Sequence, residues 1–133
     1  MLGNIRTSLQ NKEIISDLTY KLQLGPENII ARMAFSYSIA NSPKLNLRDI
    51  KDSKGKEYNP KILFGTNNIP VYVAMICQKY GIYKTDKDIQ KFVKMHVDDG
   101  LEVLNREYRK NPNMNSFDFF LDKIEKGLNL ITA

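Results

Sequence analysis

Apolar positions along the chain recur mostly at helical spacing. In residues 11–25, NKEIISDLTYKLQLG, the side chains of Ile14, Ile15, Leu18 and Leu22 fall on one side of a 3.6-residue helix. Asn11 suits the cap at its start, and Gly25 suits the left-handed residue at its end. Pro26 then fits the first turn of a second helix, where a missing N–H leaves nothing unpaired. Ile29, Ile30, Met33, Ala34 and Tyr37 carry that helix to about Ala40, and Asn41-Ser42-Pro43 ends it. The pattern predicts a helical hairpin over 11–41 with a tight Gly-Pro corner. Ahead of it, Ile5, Thr7 and Leu9 alternate with Arg6, Ser8 and Gln10, the period of a short N-terminal strand.

Residues 43–61 hold Pro43, Gly55 and Pro60 and show little periodicity; they read as a loop with one helical turn near Leu47–Ile50. The run Ile62-Leu63-Phe64 is expected to anchor that loop in the core. Residues 69–81, IPVYVAMICQKYG, predict a helix begun by Pro70 and closed by Gly81. Its first two turns are apolar nearly all round, which marks it as the central buried helix, with Met75 and Cys77 as packing atoms. Thr85-Asp86-Lys87-Asp88 has the form of a capping box with Asp in place of Glu. The helix expected after it turns Ile89, Phe92, Val93, Val97, Leu101, Leu104 and Tyr108 inward. Gly100 within it marks a bend or a close approach to a neighbour. Beyond Asn111-Pro112-Asn113, Ser116 suits the cap of a last helix with Phe117, Phe120, Leu121, Ile124 and Leu128 on one face. The fold expected is all-α. Residues 1–110 form a single helical domain, and 111–133 an extension whose amphipathic helix packs on the domain or on a sister subunit.

A chain of 133 residues suits one domain and needs no disulfide. Its one cysteine, Cys77, lies in an apolar stretch, as befits a reducing compartment. The opening MLGNIRTSLQ lacks the apolar core of a signal peptide, and no run approaches the ~18 apolar residues of a membrane span. A cytoplasmic protein without membrane attachment is expected. Net charge is +5 and unevenly placed: residues 44–94 carry eleven Lys/Arg against five Asp/Glu, whereas 95–133 carry five against seven. An excess confined to the middle suits a polyanion, above all nucleic acid; the competing reading is a solvated face that keeps the domain soluble.

Catalytic chemistry is sparse. His96 is the only histidine and has no Cys or second His at ligand spacing, which speaks against zinc. A Cys77/His96 nucleophile pair competes with a buried thiol and a satisfied core histidine, and the latter is the better reading. Asp98 and Asp99 are adjacent on a helix, so their carboxylates point about 100° apart and serve different partners. Gly55-Lys56-Glu57 is too short for a phosphate-cradling glycine loop. Neither an enzyme nor a cofactor is expected.

The lysines say more. Lys84, Lys87, Lys91 and Lys94 recur at steps of three, four and three, which predicts one ridge opposite Ile89, Phe92 and Val93. The preceding loop adds Lys51, Lys54, Lys56 and Lys61, of which Lys54, Lys56 and Lys61 are expected to face outward. Like-charge neighbours cost the isolated helix roughly 0.5–1 kcal/mol, too little to demand a partner. Phosphate contact and a solvated face thus both remain open. Lysine meets phosphate as a point charge, which implies a reader of DNA backbone rather than of sequence.

Taken together, "IRTSLQNKEIISDLTYKLQLGPENIIARMAFSYSIA", "LRDIKDSKGKEYNPKILFG" and "YVAMICQKYGIYKTDKDIQKFVKMHVDDGLEVLN" resemble the DndE family of the bacterial DNA sulfur modification (phosphorothioation) system. The resemblance covers about residues 5–108; "LGPENIIARMA", "DSKGKEY" and "QKYGIYKTD" are its most distinctive parts. It implies a largely helical homotetramer that binds double-stranded DNA, nicked DNA preferred, and acts beside the other proteins of the system without catalysis of its own. The residues leave two alternatives. One is a ribbon-helix-helix regulator, with Arg6, Ser8 and Gln10 reading bases from the strand. The other is an assembly adaptor whose basic face docks an acidic partner protein.

Overall fold

The computed structural model describes residues 2–111, 118–119 and 121–123. Along the chain run β1 (Ile5–Arg6), α1 (Leu9–Leu22), α2 (Glu27–Asn41), a 3-10 turn (Leu47–Asp49), β2 (Glu57–Tyr58), α3 (Pro60–Phe64), a second 3-10 turn (Thr66–Asn68), α4 (Ile69–Tyr80) and α5 (Ile89–Lys110). The architecture is the expected all-α domain. The single ladder among the described residues pairs β1 with β2 antiparallel, Ile5 opposite Tyr58 and Arg6 opposite Glu57.

The hairpin of α1 and α2 forms with shifted ends. Ser8, not Asn11, caps α1: its Oγ accepts the Asn11 N–H at 3.3 Å. Asn11 is free of that duty and is buried inside the helix. Leu22 is the last buried position of α1, so the chain turns directly after it. Gln23 takes the left-handed conformation (φ 50°) expected of Gly25, and its N–H bonds the Thr19 carbonyl. Pro26 stands just outside α2, at its cap, with extended backbone.

The main correction concerns which helix is central. α4 has the expected bounds, but Ile76 is its only fully buried residue, and Val71 is 58% exposed. The centre is α5. Its 22 residues span about 33 Å at ~1.5 Å per residue, long enough to pack on α1, α2, α4 and β1. Val93, Val97, Leu101 and Leu104 meet Ile15, Leu18 and Leu22 of α1 and Ile30, Ala34 and Phe35 of α2 in one core. Gly100 allows the closest crossing: a Cβ there would lie 1.9 Å from the Ala34 carbonyl oxygen, so only glycine lets the two backbones meet. Of the two roles expected for Gly100, close approach is the one it plays. Rings lock the rest. Phe64 stacks on Tyr72 at 4.3 Å with Phe35 edge-on, and Tyr80 stacks on Phe92 at 3.9 Å.

Three further expectations shift. α5 starts at Ile89, because residues 83–88 are held as turns: Asp86 N–H bonds the Tyr83 carbonyl and Asp88 N–H bonds Asp86 Oδ1. Asp88 makes no side-chain cap, so no capping box forms at Thr85. In the 62–64 run, Leu63 and Phe64 are buried, but Ile62 is 63% exposed. Toward the C-terminus, Phe119 is buried with its ring 5.8 Å from that of Tyr108, whereas Leu121 is 40% exposed. Ser116, Phe117, Phe120, Ile124 and Leu128 lie outside the described residues. Among the described residues, no helix is long and apolar enough to cross a membrane.

Candidate nucleic-acid interface

The basic loop takes its shape from a buried polar knot. Asp98 of α5 accepts the Ser8 N–H at 3.0 Å and the Asn11 Nδ2–H at 2.7 Å on Oδ1, and Lys94 Nζ at 2.7 Å on Oδ2. Lys94 also donates to the Asp52 carbonyl at 2.7 Å. One ion pair, with side chains only 8% and 3% exposed, thereby joins α5, the start of α1 and the loop. Asp52 extends the clamp, accepting the N–H groups of Leu9 at 2.9 Å and Lys54 at 3.0 Å. These bonds, with the nearby Lys94 and Lys54 charges adding to them, hold its carboxyl below the usual carboxylate range. From the ladder side, Thr7 N–H bonds the Lys56 carbonyl and Gly55 N–H bonds the Thr7 carbonyl, each at 2.9 Å. Gly55 is pressed so close that a Cβ would lie 2.1 Å from the Ser8 carbonyl oxygen. The 50–58 segment is therefore a built loop and not a slack connector.

This geometry divides the lysines. Lys94 is buried in the knot, so it supports the loop from beneath and leaves the expected outer ridge. Lys84 and Lys87 precede α5, and of the four only Lys91 stands exposed on the helix itself. Lys91 lies 3.8 Å from Asp88. Lys51 pairs with Glu102 in a separate crevice along the middle of α5, beside Asp49, Asp99 and Arg106. Lys56 reaches Glu27 at 3.5 Å. No ion pair involves Lys54, Lys61, Lys84 or Lys87 among the described residues. The eight do not make one continuous surface.

What does converge is a groove between β1, the loop and the start of α5. It is lined by Asn4, Ile5, Arg6, Ile50, Ser53, Lys87, Gln90, Lys91 and the stem of Lys94. Gln90 fixes its floor, accepting the Gly3 N–H at 3.1 Å and donating to the Asn4 carbonyl at 2.8 Å. Arg6 projects from β1 and meets Glu57 across the ladder at 3.2 Å, both side chains about half exposed. Charge counting cannot place Arg6 beside Lys87 and Lys91, since that depends on β1 packing against α5, held by Gln90 on one side and by the Asp98–Ser8 bond on the other. Arg6, Lys87 and Lys91, with the hydrogen-bonding Ser53 and Gln90, make a short cationic groove of the kind that suits sugar-phosphate.

A second polar centre has the composition of a hydrolytic triad without its wiring. Ser38 Oγ donates to Asp99 Oδ2 at 2.6 Å and lies 2.7 Å from His96 Nδ1. The hydroxyl proton is committed to Asp99, so Nδ1 carries the ring proton and donates to Ser38. Nε2 then accepts from Tyr80 OH at 2.7 Å, and that oxygen accepts the Leu45 N–H at 2.9 Å. A triad needs the acid on the imidazole and the imidazole as acceptor of the serine proton; here both relations are reversed. Ser38 and His96 are fully buried. Burial, with the Lys79 charge, pulls His96 down to about 4 against the opposing pull of Asp99, so the ring is neutral. The group is a lock between α2, α4, α5 and the 42–45 segment. As expected, His96 is a satisfied core histidine and Asp98 and Asp99 serve different partners. Among the described residues, no cluster of His, Cys, Asp or Glu is arranged to hold a metal.

Residues 4–111 match the model of a family described as DNA sulphur modification protein DndE. Among solved structures, the chain is similar to DndE from Escherichia coli B7A, involved in DNA phosphorothioation modification. The TM-score is 0.62 at 21% identity, covering 78% of this chain and 99% of that one. A DndE carrying two glycine-to-lysine substitutions, likewise involved in DNA phosphorothioation, gives 0.63 at 21% identity, covering 77% and 98%. At this identity the structures speak for the fold. No curated protein matches the chain.

Proposed function

The chain belongs to the DndE family of DNA sulphur modification proteins, and on that premise we propose that it is the duplex-binding, non-catalytic component of a cytoplasmic DNA phosphorothioation machinery. It grips the phosphate backbone, prefers nicked DNA, assembles as a homotetramer and works beside the other proteins of that system. The family match across 4–111 carries this reading. The groove of Arg6, Lys87 and Lys91 gives it a physical seat. Lys54, Lys61 and Lys84, outside the groove and free of ion pairs among the described residues, offer phosphate separate contacts, while Lys51 and Lys56 contribute only as their partners Glu102 and Glu27 yield. The uncharged outer side of α4, with Pro70, Val71, Ala74 and Gln78 exposed, supports self-association.

The regulator alternative loses its footing. β1 is two residues long and pairs with β2 of its own chain, leaving no ribbon to enter a DNA groove. An adaptor role is compatible with the proposal and needs no separate surface.

Titration of the full chain with intact, nicked and single-stranded DNA at two salt concentrations tests the reading. Changing Arg6, Lys87 and Lys91 together to Glu should weaken duplex binding and lower the magnitude of the log–log salt slope by about 0.9 for each phosphate no longer neutralised. Affinity equal to wild type, with helical content retained, removes the groove from the interface.

A further inference from the structure

Tyr83 is the most exposed large apolar side chain among the described residues, 86% accessible, and makes no ring contact or cation–π pair there. Its position is nevertheless fixed. Gly81 closes α4 in the left-handed conformation, Ile82 N–H bonds the Cys77 carbonyl at 3.1 Å, and the Tyr83 carbonyl accepts the Asp86 N–H at 2.9 Å. Ile82 packs against the core beneath. A rigid turn thus holds an aromatic ring out in water, next to Lys84 and four residues before Lys87, neither of them in an ion pair among the described residues. Lys87 also lines the groove with Arg6 and Lys91.

Tyr20 offers the internal contrast. It is 77% exposed, but its surface hollow holds Glu13 and Asp17 against one cation, Lys12. A phosphate meets net negative charge there, whereas Tyr83 is followed directly by Lys84 and belongs to a segment whose Lys87 lines the cationic groove.

We propose that Tyr83 stacks on a nucleobase exposed at a break in the duplex while Lys84 and Lys87 hold the flanking phosphates. An aromatic ring beside ammonium groups is the arrangement that binds unpaired bases, because every base offers a π-face and every nucleotide a phosphate. In an intact duplex those faces are covered by their neighbours, and reaching one costs a few kcal/mol of unstacking. At a nick or gap one face opens at much lower cost. The ring therefore adds affinity at the discontinuity and little elsewhere. This rests on the duplex-binding reading above and assigns the nick preference to a residue.

The test compares wild type with Tyr83→Ala, Tyr83→Phe and Tyr20→Ala on intact, nicked and one-nucleotide-gapped duplexes of one sequence. Tyr83 buries little, so circular dichroism should show each variant folded. Tyr83→Ala should bind nicked and gapped DNA on the order of tenfold more weakly and intact DNA as wild type does. Tyr83→Phe should retain the preference, and Tyr20→Ala should match wild type. A 2-aminopurine beside the nick should lose its protein-dependent quenching with Tyr83→Ala alone. An equal loss on intact and nicked DNA, or no loss on either, overturns the proposal while leaving salt-dependent duplex binding in place. If wild type binds no duplex, the underlying reading falls as well.

Discussion

α4 has one charged residue in twelve and lies at the surface; α5 has nine in twenty-two and runs through the centre. Depth in this fold follows how extensively a helix packs on its neighbours and whether its charges can be paired, rather than how apolar the helix is. α5 touches α1, α2, α4 and β1, and its innermost charges, Lys94 and Asp98, neutralise each other among fixed donors and acceptors. α4 is shorter and packs on α2, α3 and α5 with most of its residues only partly buried. Its one charge, Lys79, turns inward to the carbonyls of Ile39 at 3.1 Å and Ser42 at 2.6 Å. The apolar helix is thereby left with an outer face that is exposed and uncharged.

The strongest way to break this comparison is to unpair the charge inside α5. Asp98→Ala strands Lys94, Asn11 and the Ser8 N–H, and should cost about 3–5 kcal/mol in urea denaturation. A cost near that of an ordinary surface change would mean the knot is wet and α5 is not the true centre. Next in size is acid. His96 is held at about 4, below the ~6.5 of an unfolded histidine, so the unfolded chain binds its proton first. The stability tied to its neutral form is complete above pH ~6.5 and drains away as pH falls toward 4, by on the order of 2–3 kcal/mol. Denaturation midpoints across that window should show the slope, and His96→Asn should flatten it. The smallest effect on the fold is expected on α4. Val71→Glu should change stability by no more than about 0.5 kcal/mol, yet shift the species seen by light scattering to lower mass. An unchanged mass would take α4 out of the assembly.

Much of the helical frame is legible in residue spacing, because α1, α2 and most of α5 bury positions that repeat at 3.6 residues. The start of α1 is less so, since Asn11 is an equally good cap by type and only the position of Asp98 decides for Ser8. The depth of α4 is not legible at all: an apolar helix looks the same whether its neighbours are in its own chain or another. At the candidate site, lysine spacing gives positions along the chain but not the surface they form. It presumes that the helix starts at Thr85, and the Tyr83–Asp88 turns remove Lys84 and Lys87 from it. It also has no means of seeing that Lys94 faces an aspartate one turn on, or that bonds from Gln90 and Asp98 hold β1 on α5 and so bring Arg6 to Lys87 and Lys91. Family resemblance adds function, and no contact geometry.

The ladder between β1 and β2 is also a contact between distant parts of the chain. Thr7 and Lys56 are 49 residues apart, so the bonds that shape the basic loop close across more than a third of the chain. α1, α2 and α4 each form from local contacts, while β1 and β2 must wait until their ends are brought together against chain entropy. The groove is a product of still longer closures, since Gln90 bonds Gly3 and Asn4 and Asp98 bonds Ser8 across 86 to 90 residues, so a chain with its helices formed and those closures unmade has no groove.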